Sequence, residues 1–173
     1  PITATISTTN VLCNGDATGE ITATSVSGSA GSPYSYLWSN GIDTWFNSAL
    51  LAGNYDLTIT DASGICSSFI TGITVTTSTL ITCPVSFSNP SASGAGDGTI
   101  TATNASGGSG GYLYSWTGPN SFSSTSQVLT WLDEGSYTLT VTDNAGCTEF
   151  FTVLLNDPNC NVNTTIATID PLC

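Results

Sequence analysis

The sequence predicts an all-β protein, tandem β-sandwiches with no significant helix, and three observations carry that prediction. Apolar and polar residues alternate in short runs: Tyr55, Leu57 and Ile59 fall on one face of a strand, Asp56, Thr58 and Thr60 on the other. That period of two marks a strand with one buried face. Gly, Asn, Asp, Ser and Pro gather between the runs about every 8 to 12 residues, the punctuation of short strands joined by turns. The whole pattern then occurs twice, at a spacing of about 80 residues, which makes each copy a structural unit.

In chain order, the first copy opens on a strand over Ile2–Ile6 and passes Asn10-Val-Leu-Cys13 to the turn Asn14–Gly19. A second strand runs from Glu20 to Ser25, and the Gly/Ser-rich stretch from Ser27 to Pro33 separates it from Tyr34-Ser-Tyr-Leu-Trp38. Tyr34, Tyr36 and Trp38 share one face, which makes Trp38 a core residue on a central strand. A short strand around Trp45 and Phe46 leads to Leu50, and after the strand from Tyr55 a last strand follows Cys66, from Phe69 to Thr77. The second copy keeps the order: Gly98–Thr103 repeats Gly19–Thr24, and Tyr112-Leu-Tyr-Ser-Trp116 repeats Tyr34–Trp38, so Trp116 takes the place of Trp38. About seven strands per copy are expected. The expected domains are 1–77, 78–157 and the opening of a third repeat over 158–173, where Ile169-Asp-Pro-Leu-Cys173 echoes the segment ending at Cys13.

One frame recurs in both copies: Leu50, Gly53 and Tyr55, then Leu132, Gly135 and Tyr137. A Tyr at the start of a strand, just past a Gly-bearing corner, is the tyrosine corner of immunoglobulin-like sandwiches, its ring in the core and its hydroxyl bonded back to the corner's backbone. The predicted units are therefore immunoglobulin-like.

Composition narrows the function. Twelve acidic residues face no Lys, Arg or His, for a net charge of −12. Nothing neutralises a phosphate, so nucleic acid is excluded as a partner, and no run of apolar residues is long enough for membrane insertion. Without imidazole or amine the common general bases and Schiff-base nucleophiles are missing. Asp16, Asp61, Asp97 and Asp143 sit in turns, where Asp caps backbone amides. The chain is expected not to be an enzyme.

Cys13-Asn-Gly-Asp-Ala-Thr-Gly-Glu-Ile-Thr-Ala-Thr24, Tyr34-Ser-Tyr-Leu-Trp-Ser-Asn-Gly41 and Gly53-Asn-Tyr55 through Asp61-Ala-Ser-Gly-Ile-Cys66 together resemble the SprB-type repeat, named for the giant surface adhesins of gliding Bacteroidetes. The resemblance covers both copies. It implies an extracellular, tandemly repeated immunoglobulin- or PKD-like module of a long adhesin or filament at the cell surface. The second copy departs from the pattern, with Ala92 where the first has Cys13.

The expected function is a stalk or filament segment of a repetitive extracellular adhesin, giving reach and mechanical stability in gliding motility or cell adhesion. The alternative is a carbohydrate- or calcium-binding accessory module of a secreted protein. Partners are neighbouring repeats of the same chain, with surface polysaccharide or self-association in a fibre beyond them. No cofactor is expected. The calcium candidates are Asn14, Asp16 and Thr18, which mimic the first half of an EF-hand loop, but Ser25 stands where that loop needs a bidentate Glu. Trp45 and Trp131 are the candidate sugar-stacking residues. Each copy has one Cys after its Tyr strand and one in its opening segment, so Cys13–Cys66 and Cys83–Cys147 are the expected disulfides, with Cys160 and Cys173 serving the third copy. Six cysteines allow about 15 pairings, and spacing alone does not choose among them. The sequons at Asn104 and Asn163 matter only in a host that glycosylates them.

Overall fold

The computed structural model describes residues 1–157. The expected third repeat, with Cys160, Asn163 and Cys173, lies outside the described residues. The chain divides into two compact units, the first Pro1–Leu80 and the second starting at Ile81, so the division falls after Leu80, three residues past the expected Thr77. No α-helix occurs among the described residues; a single 3-10 turn spans Pro119–Ser121.

The first unit has six strands: β1 (Thr3–Thr9), β2 (Gly19–Ser27), β3 (Ser35–Trp38), β4 (Phe46–Leu50), β5 (Gly53–Thr60) and β6 (Ser67–Val75). They form two antiparallel sheets, in the orders β1-β2-β4 and β3-β5-β6. The second unit has β7 (Val85–Ser88), β8 (Gly98–Ala102), β9 (Leu113–Thr117), β10 (Ser123–Ser124), β11 (Val128–Leu132), β12 (Gly135–Thr142) and β13 (Thr148–Leu155). Its sheets run β7-β8-β11 and β10-β9-β12-β13. Leaving out the two-residue β10, the second unit reproduces the first strand for strand. Each unit is an immunoglobulin-like sandwich.

Two expectations change. The first sandwich has six strands, because the turn-rich residues between Trp38 and Phe46 form no ladder. For the same reason β3 is an edge strand, and β5 is the centre of its sheet. Trp38 is nonetheless buried, since it pairs with Leu57 on β5 and points inward.

Burial follows the alternation read from the sequence. Ile21, Ala23, Trp38, Leu50, Leu57, Ile59 and Val75 fill the first core. Ile100, Ala102, Trp116, Leu129, Leu132, Leu139 and Val141 fill the second. Each aliphatic side chain taken out of water in this way contributes roughly 1.5–3 kcal/mol, which has to offset the entropy of ordering a Ser/Thr-rich chain.

Each sandwich is entered at one end and left at the other. In the first, Thr3 on β1 pairs with Ser27 beside the β2–β3 loop, whereas Val11 bridges Thr77 in parallel at the far end of β6. In the second, Thr82 bridges Ser106 at the entry, and the exit residue Asn156 bonds to Asn89, past the end of β7. The two ends of the chain in each sandwich therefore lie at opposite ends of its strands.

Candidate functional site

The two corners are built alike. The Tyr55 hydroxyl donates to the Leu51 carbonyl at 2.9 Å, and the Tyr137 hydroxyl donates to the Asp133 carbonyl at 3.1 Å. Each bond spans four residues and closes the turn between the two sheets. The second corner is the tighter one. Tyr137 is buried, meets Phe122 edge to face at 5.4 Å, and lies so close to Gly118 that a Cβ there would come within 2.5 Å of the ring. Burial, with the charges of Asp133 and Glu134 nearby, pushes its phenol pKa up. Tyr→Phe at either position keeps the ring and leaves the carbonyl without its donor. A cost of about 1–2 kcal/mol is expected in urea melts, the larger at Tyr137.

Asp61 and Asp143 do more than cap their own turns. Both are buried. The Asp61 carboxylate accepts from the Ser63 hydroxyl (2.6 Å) and amide (3.1 Å) within the β5–β6 turn, and from the Ala30 amide (3.1 Å) in the β2–β3 loop. Asp143 accepts from Ser109 (2.8 Å) in the β8–β9 loop and from Ala145 and Cys147 (both 2.9 Å) in its own turn. Turn chemistry was legible in Asp-Ala-Ser-Gly and Asp-Asn-Ala-Gly, but the loop tied by the second carboxylate oxygen was not. The Ser63 hydroxyl and the Ala30 amide hold Asp61 well below the usual carboxylate range, against the opposing effect of burial. The Ser109 amide, ahead of those of Cys147 and Ala145, lowers the Asp143 carboxyl in the same way against the opposing effect of burial.

Because both folded pKa values are depressed, the stabilisation is fully present above the unfolded value near 4 and is lost as pH falls through the lower folded values. Denaturation midpoints are expected to drop below about pH 4. Asp61→Asn and Asp143→Asn should each flatten that dependence while lowering stability at pH 7. An unchanged acid profile in both variants would show that other carboxylates carry it.

The cysteines overturn the expected pairing. Cys66 and Cys83 are free thiols, so neither Cys13–Cys66 nor Cys83–Cys147 forms. Cys13 and Cys147 are each disulfide-bonded, but not to those partners. Geometry explains the first case. Cys13 follows Val11, which sits beside Thr76 past the end of β6, whereas Cys66 precedes the start of β6. The strand between them is roughly 30 Å long, and a disulfide needs Cα atoms within about 7 Å. Cys83 is buried, with its thiol on the Thr103 carbonyl at 3.3 Å, and burial pushes its pKa up.

The calcium candidates spend polar atoms on backbone. Thr18 Oγ1 accepts from the Leu12 amide at 3.3 Å, Asn14 Nδ2 donates to the Ser78 carbonyl at 3.1 Å, and the Asp16 amide donates to the Cys13 carbonyl at 3.2 Å. All three are exposed residues of the β1–β2 turn. Among the described residues no three His, Cys, Asp or Glu side chains gather at metal-binding distance. In the second sandwich the equivalent loop is braced by a carboxylate: Glu134 accepts from the Ser93 hydroxyl (3.1 Å) and the Gly94 amide (3.2 Å).

A pair of residues not singled out in the sequence locks the exits. Asn10 Oδ1 accepts from the Thr76 amide at 2.9 Å, and Asn89 Oδ1 accepts from the Asn156 amide at 3.0 Å. In the first sandwich the Val11 amide adds a bond to the Thr76 carbonyl (2.9 Å), and the Ser78 hydroxyl one to the Leu12 carbonyl (3.0 Å). The recurrence of Asn at Asn10 and Asn89, near the repeat spacing, was the available signal. A second residue was missed: Asn47 is fully buried and exchanges amide hydrogen bonds with Asn40 at 3.1 and 3.2 Å, where the second sandwich buries Leu129.

The candidate stacking residues differ. Trp45 is half-exposed and tilts against Phe46, with ring centroids 5.9 Å apart. Trp131 is 82% exposed and holds a left-handed φ of 61° at a bulge in β11. Ala49, its counterpart in β4, has φ 55°, so the bulge belongs to the fold and the exposed indole to the second repeat alone. A bulky side chain in that conformation costs about 1–3 kcal/mol.

Residues 5–42 and 85–121 match the SprB repeat family. Each match runs from the first strand of its sandwich past the strand bearing the buried Trp. No curated protein sequence matches the chain. Among solved structures, the chain is similar to the three N-terminal domains of the bacteriophage RB49 highly immunogenic outer capsid protein Hoc, at 18% identity and TM-score 0.44, over 89% of this chain and 59% of that one. It is also similar to a C-terminal 282-residue fragment of intimin, solved with the intimin-binding domain of its translocated receptor, at 18% identity and TM-score 0.38, over 92% of this chain and 64% of that one. The amphioxus IgVJ-C2 molecule is 14% identical, with TM-score 0.36, over 87% of this chain and 96% of that one. The chain spans less than two thirds of the first two. Each of its immunoglobulin-like sandwiches thus contains one segment similar to the SprB repeat.

Proposed function

We propose that this chain is a load-bearing spacer of a repetitive cell-surface adhesin. The single observation that carries the reading is that each sandwich is entered at one end and left at the other, with an Asn side chain clamping the exit in both. Tension applied to the chain ends then shears several hydrogen bonds of the first sandwich at once, those joining Asn10, Val11 and Leu12 to Thr76 and Ser78. The SprB family supports an adhesin-type repeated module. No helix among the described residues is long and apolar enough to cross a membrane. The absence of Lys, Arg and His removes the common general bases and amine nucleophiles, which supports a non-catalytic role. No cofactor is part of this reading.

Single-molecule stretching of the chain between its ends tests it. Two separate unfolding events are expected, each releasing about 80 residues at about 3.4 Å apiece, less the folded length. Asn10→Ala should lower the force of one event and Asn89→Ala that of the other. A sandwich that extends without a force peak, or peaks indifferent to both substitutions, would overturn the spacer.

Trp131 favours a second reading, a saccharide-stacking surface on the second repeat, because a strained and exposed indole gives the fold little. Titration of polysaccharides against the chain and against Trp131→Ala distinguishes the two readings. Binding that disappears in the variant would add this role; no binding by either chain removes it.

A further inference from the structure

One apolar feature recurs in both sandwiches without serving either core. Phe69 on β6 and Phe150 on β13 each stand three residues past the turn cysteine, and they are 67% and 65% exposed. Register places each opposite a threonine of the central strand, Thr58 on β5 and Thr140 on β12. An exposed leucine completes the patch from the strand on the other side: Leu37 on β3, opposite Thr58, and Leu113 on β9, opposite Thr142. These faces point outward, because the alternate residues of the central strands, Leu57 and Ile59 on β5 and Leu139 and Val141 on β12, are buried.

Charge is missing from the same faces. The acids of the second sandwich occupy its loops and corner, at Asp97, Asp133, Glu134 and Asp143, or follow its last strand, at Asp157. Glu149 lies within a strand, but on the inner side of β13, in register with the buried Val141. Every outward residue of β12 is Ser or Thr. In the first sandwich Asp56 is the acid that shares the face, and the Gly72 amide donates to its carboxylate at 3.0 Å.

A chain with a net charge of −12 thus keeps a sheet face in each sandwich where a like-charged copy can approach without setting acid against acid. We propose that the outward face of the β10-β9-β12-β13 sheet, with its counterpart on β3-β5-β6, is a homotypic surface that pairs with the same face of a second copy of this chain. Sheets stack about 10 Å apart, a gap that Phe and Leu of one copy and Thr of the other fill. Four strands by eight residues present roughly 500 Å² per copy, so a pair buries about 1,000 Å², the low end of specific interfaces. A single contact therefore pairs copies reversibly. The aromatic residue is Phe, without the polar edge of Trp or Tyr, which favours packing on another sheet over stacking on a sugar.

Sedimentation equilibrium of the full chain tests this, with the exposed Cys66 thiol alkylated so that it forms no covalent dimer. Expected is reversible self-association that strengthens between about 0.02 M and about 0.5 M salt, because salt screens the acids elsewhere on the chain and leaves apolar contact intact. Phe69→Glu combined with Phe150→Glu should weaken it by about tenfold or more, with thermal unfolding unchanged. Val128→Glu, at an exposed position on the other sheet of the second sandwich, should leave it as it was. Mixing the double Glu chain with one carrying Phe69→Lys and Phe150→Lys should restore an association that neither shows alone, as a face that meets its own copy requires. If the Glu chain unfolds, Phe→Ser at both positions takes its place. A monomer at every concentration and salt, an association lost equally in Val128→Glu, or a face that takes up polysaccharide while the chain stays monomeric would overturn the proposal. Stretching pulls single chains, so the pairing of copies and the spacer reading can fail independently.

Discussion

Trp38→Ala and Trp116→Ala are each expected to destabilise their own sandwich by about 3–5 kcal/mol, a large part of the stability of a module this small. Both indoles are buried against the neighbouring strand, Trp38 opposite Leu57 and Trp116 opposite Leu139, and neither can be replaced by water without a cavity. The two differ at the indole nitrogen. Trp38 Nε1 donates to the Thr44 carbonyl at 2.8 Å, whereas Trp116 Nε1 is buried without a hydrogen-bond partner. Trp→Phe should therefore separate the sites: at Trp38 it strands the Thr44 carbonyl, and at Trp116 it removes a polar group that had no bond to lose. Urea melts should show Trp38→Phe as the costlier by about 1 kcal/mol. An equal cost would mean that ring volume alone decides both positions.

Gly98→Val is expected to cost about 3 kcal/mol, and Gly19→Val a similar amount, although both glycines lie in strands where a side chain would ordinarily be welcome. A Cβ at Gly98 would lie 2.8 Å from the Leu132 carbonyl oxygen, 3.1 Å from Leu155 and 3.2 Å from Pro90. At Gly19 it would lie 2.7 Å from Val75 and 2.9 Å from the Leu50 carbonyl oxygen. In both sandwiches the backbone just before the corner presses onto the start of the second strand, so the close neighbour is a carbonyl that cannot turn aside without breaking the ladder. The loss should appear as a lower denaturation midpoint with an unchanged m-value. Gly15→Val is the control: it is an exposed turn residue with no atom near its Cβ, and its cost comes only from its left-handed φ of 86°. If that control costs as much as Gly98→Val, crowding is not the cause.

Much of this protein was determined by its sequence alone. Period-two alternation named the strands and their buried faces, and the doubled Leu-x-x-Gly-x-Tyr frame located both corners. The repeated motifs pointed to the SprB family. These features are local: a strand's inward face, a turn residue or a corner Tyr is written within about ten residues, where pattern and propensity agree. The tertiary structure decided what depends on distance between separate elements. It put Cys13 and Cys66 at opposite ends of β6 and so removed the expected disulfide. It also joined Asn10 to Thr76 and Asn89 to Asn156, residues more than sixty apart. The second oxygen of Asp61 went to Ala30, and Asn47 was buried with its side-chain amide bonded to that of Asn40. A side chain's type sets what it can bond, but the register and ends of the sheets set which backbone comes within 3 Å of it, and no spacing along the chain encodes that distance.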